Sequence, residues 1–398
     1  MYSREIILKI SNKTGNDSKN GKPKETISRR RFIRDISAGA AGMALATSFP
    51  GLVNTANSGS KDLSKVVIAR HPDSVLGLYS FDQSIVGEMV NRAIVEFTGQ
   101  EAPGLAWGQI FPGLTASDTI GIKINARYSN IPSHVEVTNA LVEGLASIQV
   151  GGGNFPRNNI IIWDRRNDEI SASGYTIYTG SDPDTARCFG TNQSGYGYDS
   201  GSSINVGGTT CNPSSILTDH CNYLINLPVL KNHTYGGAGV TLGMKNHQGT
   251  HHTPQSLHGC DPDIAELNQE IRDNLGDKDK ITIIDSLVGV ATGGPAGPPQ
   301  FIYGGIILGT DTVATDYVGR AVLDDNGCNT IGIATHIETA DTTYNLGTSD
   351  PAEMDVVEQD PIALATREYV DKMIAFNKEG LATELQVQWA VDRYDRGL

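Results

Sequence analysis

The fold is decided by three consecutive segments: "DTIGIKIN" (118–125), "HVEVTNALVEGLASI" (134–148) and "NNIIIWDR" (158–165). The outer two are apolar runs rich in Ile and bounded by turn residues, a pattern that is typical of buried strands. The middle segment has helical spacing of its apolar residues. A strand, a helix and a strand in succession predict two parallel strands joined by a crossover helix.

The same alternation continues in both directions along the chain. Further buried strands are predicted at 65–70, 222–230, 281–287 and 304–310, and further helices at 84–99, 261–276 and 311–327. An Asp directly before a helical run is most simply an N-cap, which predicts that role for Asp311. Together these segments predict an α/β fold with a largely parallel sheet and helices on both faces.

Changes in composition divide the chain. We predict a signal and linker at 1–56, an α/β domain at 57–360 and a helical segment at 361–398. Within the domain, residues 176–220 are rich in Gly, Ser, Asn and Thr, which predicts a loop or a small β insertion. The Pro/Gly-rich stretch 288–303 predicts a rigid loop at the carboxyl end of a strand, where ligands bind in open α/β sheets.

Charge is distributed unevenly over the 398 residues. The net charge is −14, yet residues 1–46 carry ten Lys and Arg against four Asp and Glu, so the remainder carries −20. An acidic body repels nucleic acid and anionic lipid, which argues against both as partners. Small molecules or cations are the expected ligands.

The basic N-terminal region has the pattern of an export signal. Residues 28–34, "SRRRFIR", are followed by a modest apolar run over 36–49. This pattern resembles a twin-arginine signal, and it predicts the twin-arginine translocase as a transient partner and a periplasmic or otherwise exported location. The apolar run is too short to span a bilayer, so no stable membrane insertion is expected after cleavage between 46 and 56. The alternative is a basic disordered tail.

A dense group of nitrogen-bearing side chains follows the strand at 222–230. The stretch "LPVLKNHTYGGAGVTLGMKNHQGTHH" covers residues 227–252. Polar residues at the ends of neighbouring parallel strands meet at one edge of a sheet. We therefore predict a shared catalytic site, whose candidates are Lys231, His233, Lys245, Asn246, Lys123, Asp164 and Asp285.

The glycines in this stretch suggest a close approach to a ligand. Gly236, Gly237 and Gly239 allow a tight turn and are the predicted cofactor-binding positions. If residues 239–247 form a helix, its first-turn amides would bind an anion together with Lys231 and Lys245. The alternative is that both lysines are solvated surface groups.

Four histidines close together suggest a divalent metal as a possible cofactor. They are His247, His251, His252 and His258. The spacing of four between the first two would place them on one helical face, although Gly249 and Pro254 disfavour a regular helix. The nature of the nitrogen ligands does not identify the metal. A polar loop without metal is the alternative.

Five scattered cysteines contain no C-x-x-C motif, which makes a cysteine-based zinc or iron–sulfur site unexpected. In an oxidising compartment we expect a disulfide of Cys188 with Cys211 or Cys221.

The central stretch resembles the signature of the DUF362 family, P-x-L-K-x-H…G-V-T…K-N-x-x-G, which here reads "PVLKNHTYGGAGVTLGMKNHQG". The segments "IGIKIN", "IIIWDR", "ITIIDSLVGVATGGP" and "IILGTDTVATDYVG" are similar to further blocks of that family, in the same order. The resemblance covers roughly residues 65–360. The family is a domain of unknown function, so the resemblance implies no reaction.

Two hypotheses follow for the function. The first is an exported metal- or anion-dependent enzyme that acts on a small molecule, with a lysine of lowered pKa as base or nucleophile and His233 as proton carrier. The second is a periplasmic protein that binds a cofactor or metal in the same pocket without turnover.

Overall fold

The computed structural model describes residues 63–180, 182–359, 367–380, 382, 387 and 390–391. The predicted signal and linker, residues 1–56, lie outside the described residues, and so does part of the C-terminal segment 361–398. The predicted domain boundaries therefore stay predictions. Within the described part of the chain, no helix is both long and apolar enough to cross a membrane.

Sixteen strands and nine α-helices are present in the described residues. The strands are β1 Ser64–Arg70, β2 Val75–Gly77, β3 Ser80–Phe81, β4 Ile120–Lys123, β5 Gln149–Val150, β6 Gly153–Asn154, β7 Ile160–Asp164, β8 Arg187–Gly190, β9 Ile204–Val206, β10 Thr209–Cys211, β11 Tyr223–Asn226, β12 Val229–His233, β13 Gly239–Thr241, β14 Asp279–Val290, β15 Phe301–Gly309 and β16 Met354–Gln359. The helices are α1 Gln83–Thr98, α2 Pro103–Ile110, α3 Val135–Ala146, α4 Asn167–Ala172, α5 Gly243–Asn246, α6 Asp263–Asn274, α7 Thr312–Asp325, α8 His336–Thr342 and α9 Arg367–Lys378.

A ten-stranded sheet forms the centre of the fold. Its main order is β16-β1-β15-β14-β11-β4-β7-β8, with β12 beside β14 and β13 beside β12. The pairs from β14 through β11, β4 and β7 to β8 are parallel, and so are β1 with β16 and β12 with β14. Three pairs are antiparallel, namely β1 with β15, β14 with β15 and β12 with β13.

Helices cover both faces of this sheet. Val67 and Ala69 of β1 pack in a core that includes α1, α2 and α3, whereas Val66 and Ile68 pack in a second core that includes α7. Successive residues of a strand point to opposite faces, so this alternation places the two cores on the two sides of the sheet. The predicted α/β fold with a largely parallel sheet and helices on both faces is confirmed.

Several element predictions agree with the structure in detail. Asp311 caps α7, because its Oδ1 accepts a hydrogen bond of 2.9 Å from the amide of Ala314. The polar insertion 176–220 contributes the edge strand β8 and a small β9–β10 hairpin. The Pro/Gly loop is shorter than predicted, since β14 extends to Val290 and β15 begins at Phe301.

The predicted strand 222–230 is wrong in extent, and residues 239–247 do not form the single helix on which the anion site was conditional. The strand is interrupted at 227–228, where Pro228 has no amide hydrogen to donate, and it resumes as β12. Residues 239–241 form β13 instead of a first helical turn, and a helix of only four residues, α5, follows.

Candidate functional site

A cavity of about 390 Å³ opens beside the carboxyl ends of β4, β7 and β12. The segment from α5 to residue 258 covers its other side. The lining residues are Lys123, Asn125, Arg127, Tyr128, Asp164, Arg165, Lys231, His233, Tyr235, Thr241, Lys245, Asn246, Gln248, Gly249, Pro254, Gln255, His258 and Pro295. The cavity therefore brings together six of the seven predicted catalytic candidates.

The β12–β13 hairpin explains why three of the side chains share this cavity. Lys231 and His233 are two residues apart on β12, so they lie on the same face of the strand. Thr241 on β13 is the antiparallel partner of Lys231 and lies on that face as well. The Gly-rich turn between the strands places all three on one wall.

Lys123 and Asp164 form a buried ion pair at the floor. Their Nζ and Oδ1 atoms are 2.9 Å apart, and both side chains are nearly inaccessible. The Asp164 carboxylate also accepts hydrogen bonds from the amides of Ala126 (2.7 Å) and Arg165 (2.8 Å). Its charge is therefore fully compensated, which is the condition under which a buried carboxylate is tolerated.

Lys231 is as deeply buried as Lys123, but both of its hydrogen-bond partners are neutral. Its Nζ donates to Asn125 Oδ1 and to the carbonyl of Ile131, both at 2.9 Å, and among the described residues it forms no ion pair. Burial lowers the pKa of Lys231 to about 7; Lys245 lowers it further and Asp164 opposes the shift. The amine is therefore present in both protonation states at neutral pH.

Lys245 is the second buried lysine of the wall. It lies on α5, is 6% exposed, and donates a hydrogen bond to Gln248 Oε1. Burial lowers the pKa of Lys245 to about 8, with Cys260 opposing the shift. Most molecules carry a proton on Lys245 at pH 7.

His233 and Thr241 each have a buried polar side-chain atom without a hydrogen-bond partner in the described residues. Neither His233 Nδ1 nor Thr241 Oγ1 has a hydrogen-bond partner in the described part of the chain, and both residues are buried. Burial, with help from Lys245, lowers the pKa of His233 to about 3, and a hydrogen bond with the backbone of Tyr235 opposes this shift. His233 is therefore a neutral hydrogen-bonding group at physiological pH, and its role as proton carrier stays a prediction.

An asparagine network fixes the lysine positions. Asn125, which holds Lys231, donates from Nδ2 to Asn246 Oδ1 at 3.1 Å. Asn246 in turn donates to the carbonyl of Lys123 at 3.2 Å and to Asn226 Oδ1 at 2.8 Å. The predicted candidate Asn246 thus contacts β4, β11 and the loop that follows β4, and it orients the site.

The predicted anion site at a helix N-terminus is wrong, because the chain supplies its own carboxylate there. The amides of Gly243 and Met244 at the start of α5 donate to Asp316 Oδ1 (2.6 Å) and Oδ2 (2.9 Å). Burial raises the pKa of Asp316 to about 7, and the two amide hydrogen bonds oppose that shift. Asp316 anchors the short helix that carries Lys245.

The three predicted cofactor-binding glycines do not line the cavity. All have positive φ, and a Cβ on Gly236 would lie 2.5 Å from the carbonyl of His258. A Cβ on Gly239 would lie 2.6 Å from the carbonyl of Thr330. These glycines serve the turn and its packing against other loops. A contact with a cofactor stays a prediction.

The four predicted metal-binding histidines have separate partners. His247 Nε2 lies 2.8 Å from Asp279 Oδ2, His252 Nδ1 accepts from the amide of Asn212, and His258 Nδ1 lies 2.9 Å from the carbonyl of Gln255. His251 is buried near Thr253. The described residues contain no group of three or more His, Cys, Asp and Glu side chains that could together hold a metal. Metal binding therefore stays a prediction, and the four histidines do not form one cluster of metal ligands in the described residues.

Asp285 does not reach the cavity. Its Oδ2 accepts from the backbone amide of His134 at 2.6 Å and lies 2.8 Å from the His134 ring nitrogen Nδ1. Because His134 directly precedes α3, this contact ties the start of that helix to the middle of β14. Asp285 is therefore not brought together with the other candidates, and its catalytic role stays a prediction.

The expected disulfide is also absent, because all five cysteines are buried free thiols.

Four further residues line the cavity that were not among the predicted catalytic candidates, although the sequence contains a signal for them. Arg127 and Tyr128 follow within five residues of the end of β4, and Arg165 directly follows β7. Tyr235 lies just beyond β12. The position after a strand end was the available signal for all four.

Comparison with known proteins agrees with the sequence pattern. The model of a family described as "Domain of unknown function (DUF362)" matches residues 120–321. No curated protein matches. A crystal structure of a protein from Thermotoga maritima is similar with 11% sequence identity and a TM-score of 0.34, over 62% of this chain and 59% of that one. The chain thus spans less than two thirds of that protein's length.

Proposed function

The chain belongs to the DUF362 family, and from that premise we propose that it is an enzyme that acts on a small anionic molecule. In this proposal Lys231 and Lys245 bind the anionic group, and Lys231 exchanges a proton with the substrate. The observation that carries the proposal is the position of Lys231: buried in a cavity wall, without a carboxylate partner, and with a pKa lowered to about 7.

The charges of the lining support an anion as ligand. Five of the described lining residues are Lys or Arg and one is acidic, and that one, Asp164, is already paired with Lys123. Burial destabilises the protonated form of a lysine, and an incoming anion reverses this effect. The cavity volume is within the range of pockets for small molecules.

The protonation behaviour of Lys231 supports a catalytic role beyond binding. A general acid or base is most effective when its pKa lies near the working pH. A lysine that served only to hold the fold would be better stabilised by an ion pair, as Lys123 is. The unpartnered His233 Nδ1 and Thr241 Oγ1 offer hydrogen bonds to the same ligand.

Binding can be tested with sulfate, whose charge is constant over the relevant pH range. We expect Lys231→Met and Lys245→Met each to weaken sulfate binding about ten- to a hundredfold in calorimetric titrations at pH 7, because each removes a charge-assisted hydrogen bond. Lys280→Met is the control, since Lys280 does not line the cavity. Equal affinity in all four proteins would contradict the proposal.

Catalysis can be tested by proton exchange. The protein is incubated in D₂O with small carboxylates and phosphate esters, and NMR detects either new products or loss of carbon-bound protons next to the anionic group. We expect wild-type activity to disappear in Lys231→Met. Sulfate binding that depends on both lysines, with no turnover of any of these compounds, would favour the non-catalytic binding protein.

We further propose that the chain is exported by the twin-arginine route, with the translocase as a transient partner. The support is the sequence "SRRRFIR" at 28–34 followed by a short apolar run. The double variant Arg29→Lys with Arg30→Lys should retain the full-length protein inside cells after fractionation, and Arg4→Lys should not. Unchanged export of the double variant would reject the proposal.

A further inference from the structure

The entrance of the cavity differs in character from its cationic floor. Two tyrosines and a histidine of the lining have exposed or half-exposed side chains, Tyr128, Tyr235 and His258, and Pro295 is half-exposed as well. Aromatic side chains at a rim add apolar contact area and prefer offset or edge-to-face contacts with another ring. Cationic groups below an aromatic rim favour a ligand that has an anionic group at one end and an apolar or aromatic group at the other.

Tyr235 is exposed but is held in place. Its side chain is 66% exposed, and its ring meets the His258 ring edge-on at a centroid distance of 4.9 Å and an angle of 81°. His258 is fixed by the contact of Nδ1 with the carbonyl of Gln255. The adjacent Gly236 packs closely against His258, which sets the position of the turn.

Tyr128 connects the rim with the floor. Its ring centroid lies 5.9 Å from Lys231 Nζ and 5.0 Å from the guanidinium carbon of Arg127. A ligand whose anionic group contacts Lys231 therefore meets the ring of Tyr128 as it leaves the floor. Tyr235 and His258 line the same cavity, and Tyr235 is largely exposed to solvent.

We propose that the ligand is an oxyanion attached to an aromatic ring, with the oxyanion on Lys231 and Lys245 and the ring against Tyr128 and Tyr235. This inference rests on the proposed function, because it uses the same anion site. It adds the substrate class and assigns Tyr235 as a residue that determines specificity. His233 Nδ1 and Thr241 Oγ1, both buried and unpartnered, complete the hydrogen bonds to the oxyanion.

Three phosphonates with the same anionic head test this inference. Phenylphosphonate, cyclohexylphosphonate and methylphosphonate are titrated into wild type, Tyr235→Ala and Tyr79→Ala by calorimetry at pH 7. Tyr79 is the matched control, because it is 65% exposed and does not line the cavity. We expect phenylphosphonate to bind tightest to wild type, and Tyr235→Ala to weaken that binding alone about two- to tenfold.

The outcomes separate the two proposals. If cyclohexylphosphonate binds as tightly as phenylphosphonate, or if Tyr235→Ala binds phenylphosphonate as wild type does, the aromatic ligand is rejected. The anion site then stands as long as Lys231→Met still weakens methylphosphonate binding. If neither sulfate nor any of the phosphonates binds wild type, the proposed function and this inference fail together.

Discussion

Lys123 and Lys231 line the same cavity, and each is 1% exposed, yet they differ in what they contact. Lys123 is paired with Asp164 at 2.9 Å, whereas Lys231 has only an amide oxygen and a backbone carbonyl. The two lysines are equally buried, yet Lys123 forms an ion pair without net charge, whereas burial destabilises the protonated form of Lys231. The first arrangement maintains the floor, and the second is suited to receive an anion or a proton.

Removing the ion-paired lysine should have the largest effect on stability. Lys123→Met leaves the Asp164 carboxylate buried without its cation, so we expect a loss of about 3–5 kcal/mol in the free energy of unfolding at pH 7. Urea unfolding followed by circular dichroism measures this loss. The double variant Lys123→Met with Asp164→Asn should recover most of it, and an equally unstable double variant would show that the pair does not act as a unit.

Removing the unpaired lysine should have a smaller effect that depends on pH. The pKa of Lys231 in the folded protein, about 7, is below the usual lysine value of 10.5. Wild type therefore loses stability as pH falls from about 10.5 to 7, because protonation is disfavoured in the folded state. Relative to wild type, Lys231→Met should become progressively more stable as pH falls over this range, measured by urea unfolding at several pH values. A difference that is independent of pH would contradict the lowered pKa.

Anion binding should protonate the buried lysines. At pH 8 Lys231 is mostly unprotonated and Lys245 about half unprotonated. We therefore expect wild type to take up between one and two protons per sulfate at pH 8, and its affinity to fall by up to about a hundredfold per pH unit above pH 8. Calorimetry in buffers of different ionisation enthalpy measures the uptake. Lys231→Met should take up less, and identical uptake in both proteins would assign the proton to another group.

The smallest predicted effect concerns the close approach of Gly249 to the ion pair. A Cβ at this position would lie 3.2 Å from Asp164 Oδ1 and 3.4 Å from Lys123 Nζ. We expect Gly249→Ala to lower the free energy of unfolding by about 1 kcal/mol, the low end of the cost of overpacking. Gly87→Ala is the control. A Cβ at this position meets no atom within 4 Å. Because Gly87 lies inside α1, alanine there should raise the free energy of unfolding slightly.

The fold could be predicted because its strands are continuous apolar runs. The carboxyl ends of β4, β7 and β12 lie at one edge of the sheet, and for this reason Lys123, Asp164 and Lys231 meet as predicted. Lys245 and Asn246 lie on α5, and the tight turn after β12 brings this helix back to the same cavity. The chemical role of each of these residues stays a prediction.

Asp285 shows what the pattern could not indicate. The apolar run around it continues through "SLVGV", so β14 extends five residues beyond Asp285 and carries its carboxylate away from the edge. An apolar run does not by itself reveal where a strand ends. The partner of Asp285 is His134, 151 residues away in sequence, and such a contact depends on the packing of α3 against the sheet.

The histidines and glycines illustrate a second limit. Spacing placed His247 and His251 on one helical face, but the helix ends at Asn246 and His251 is extended. Gly236 and Gly239 have the positive φ that the turn requires, and their neighbours are other loops of the same chain. For the glycines, local sequence indicated the backbone geometry correctly, but their contacts are set by distant segments of the chain.

The most direct test of the account is the pKa of Lys231 itself. It can be measured by NMR titration of isotope-labelled lysine side chains, with Lys231→Met to assign the signal. We predict a pKa of about 7 in the free protein and a higher value in the presence of sulfate. A pKa near 10.5 that does not respond to sulfate would contradict the central claim.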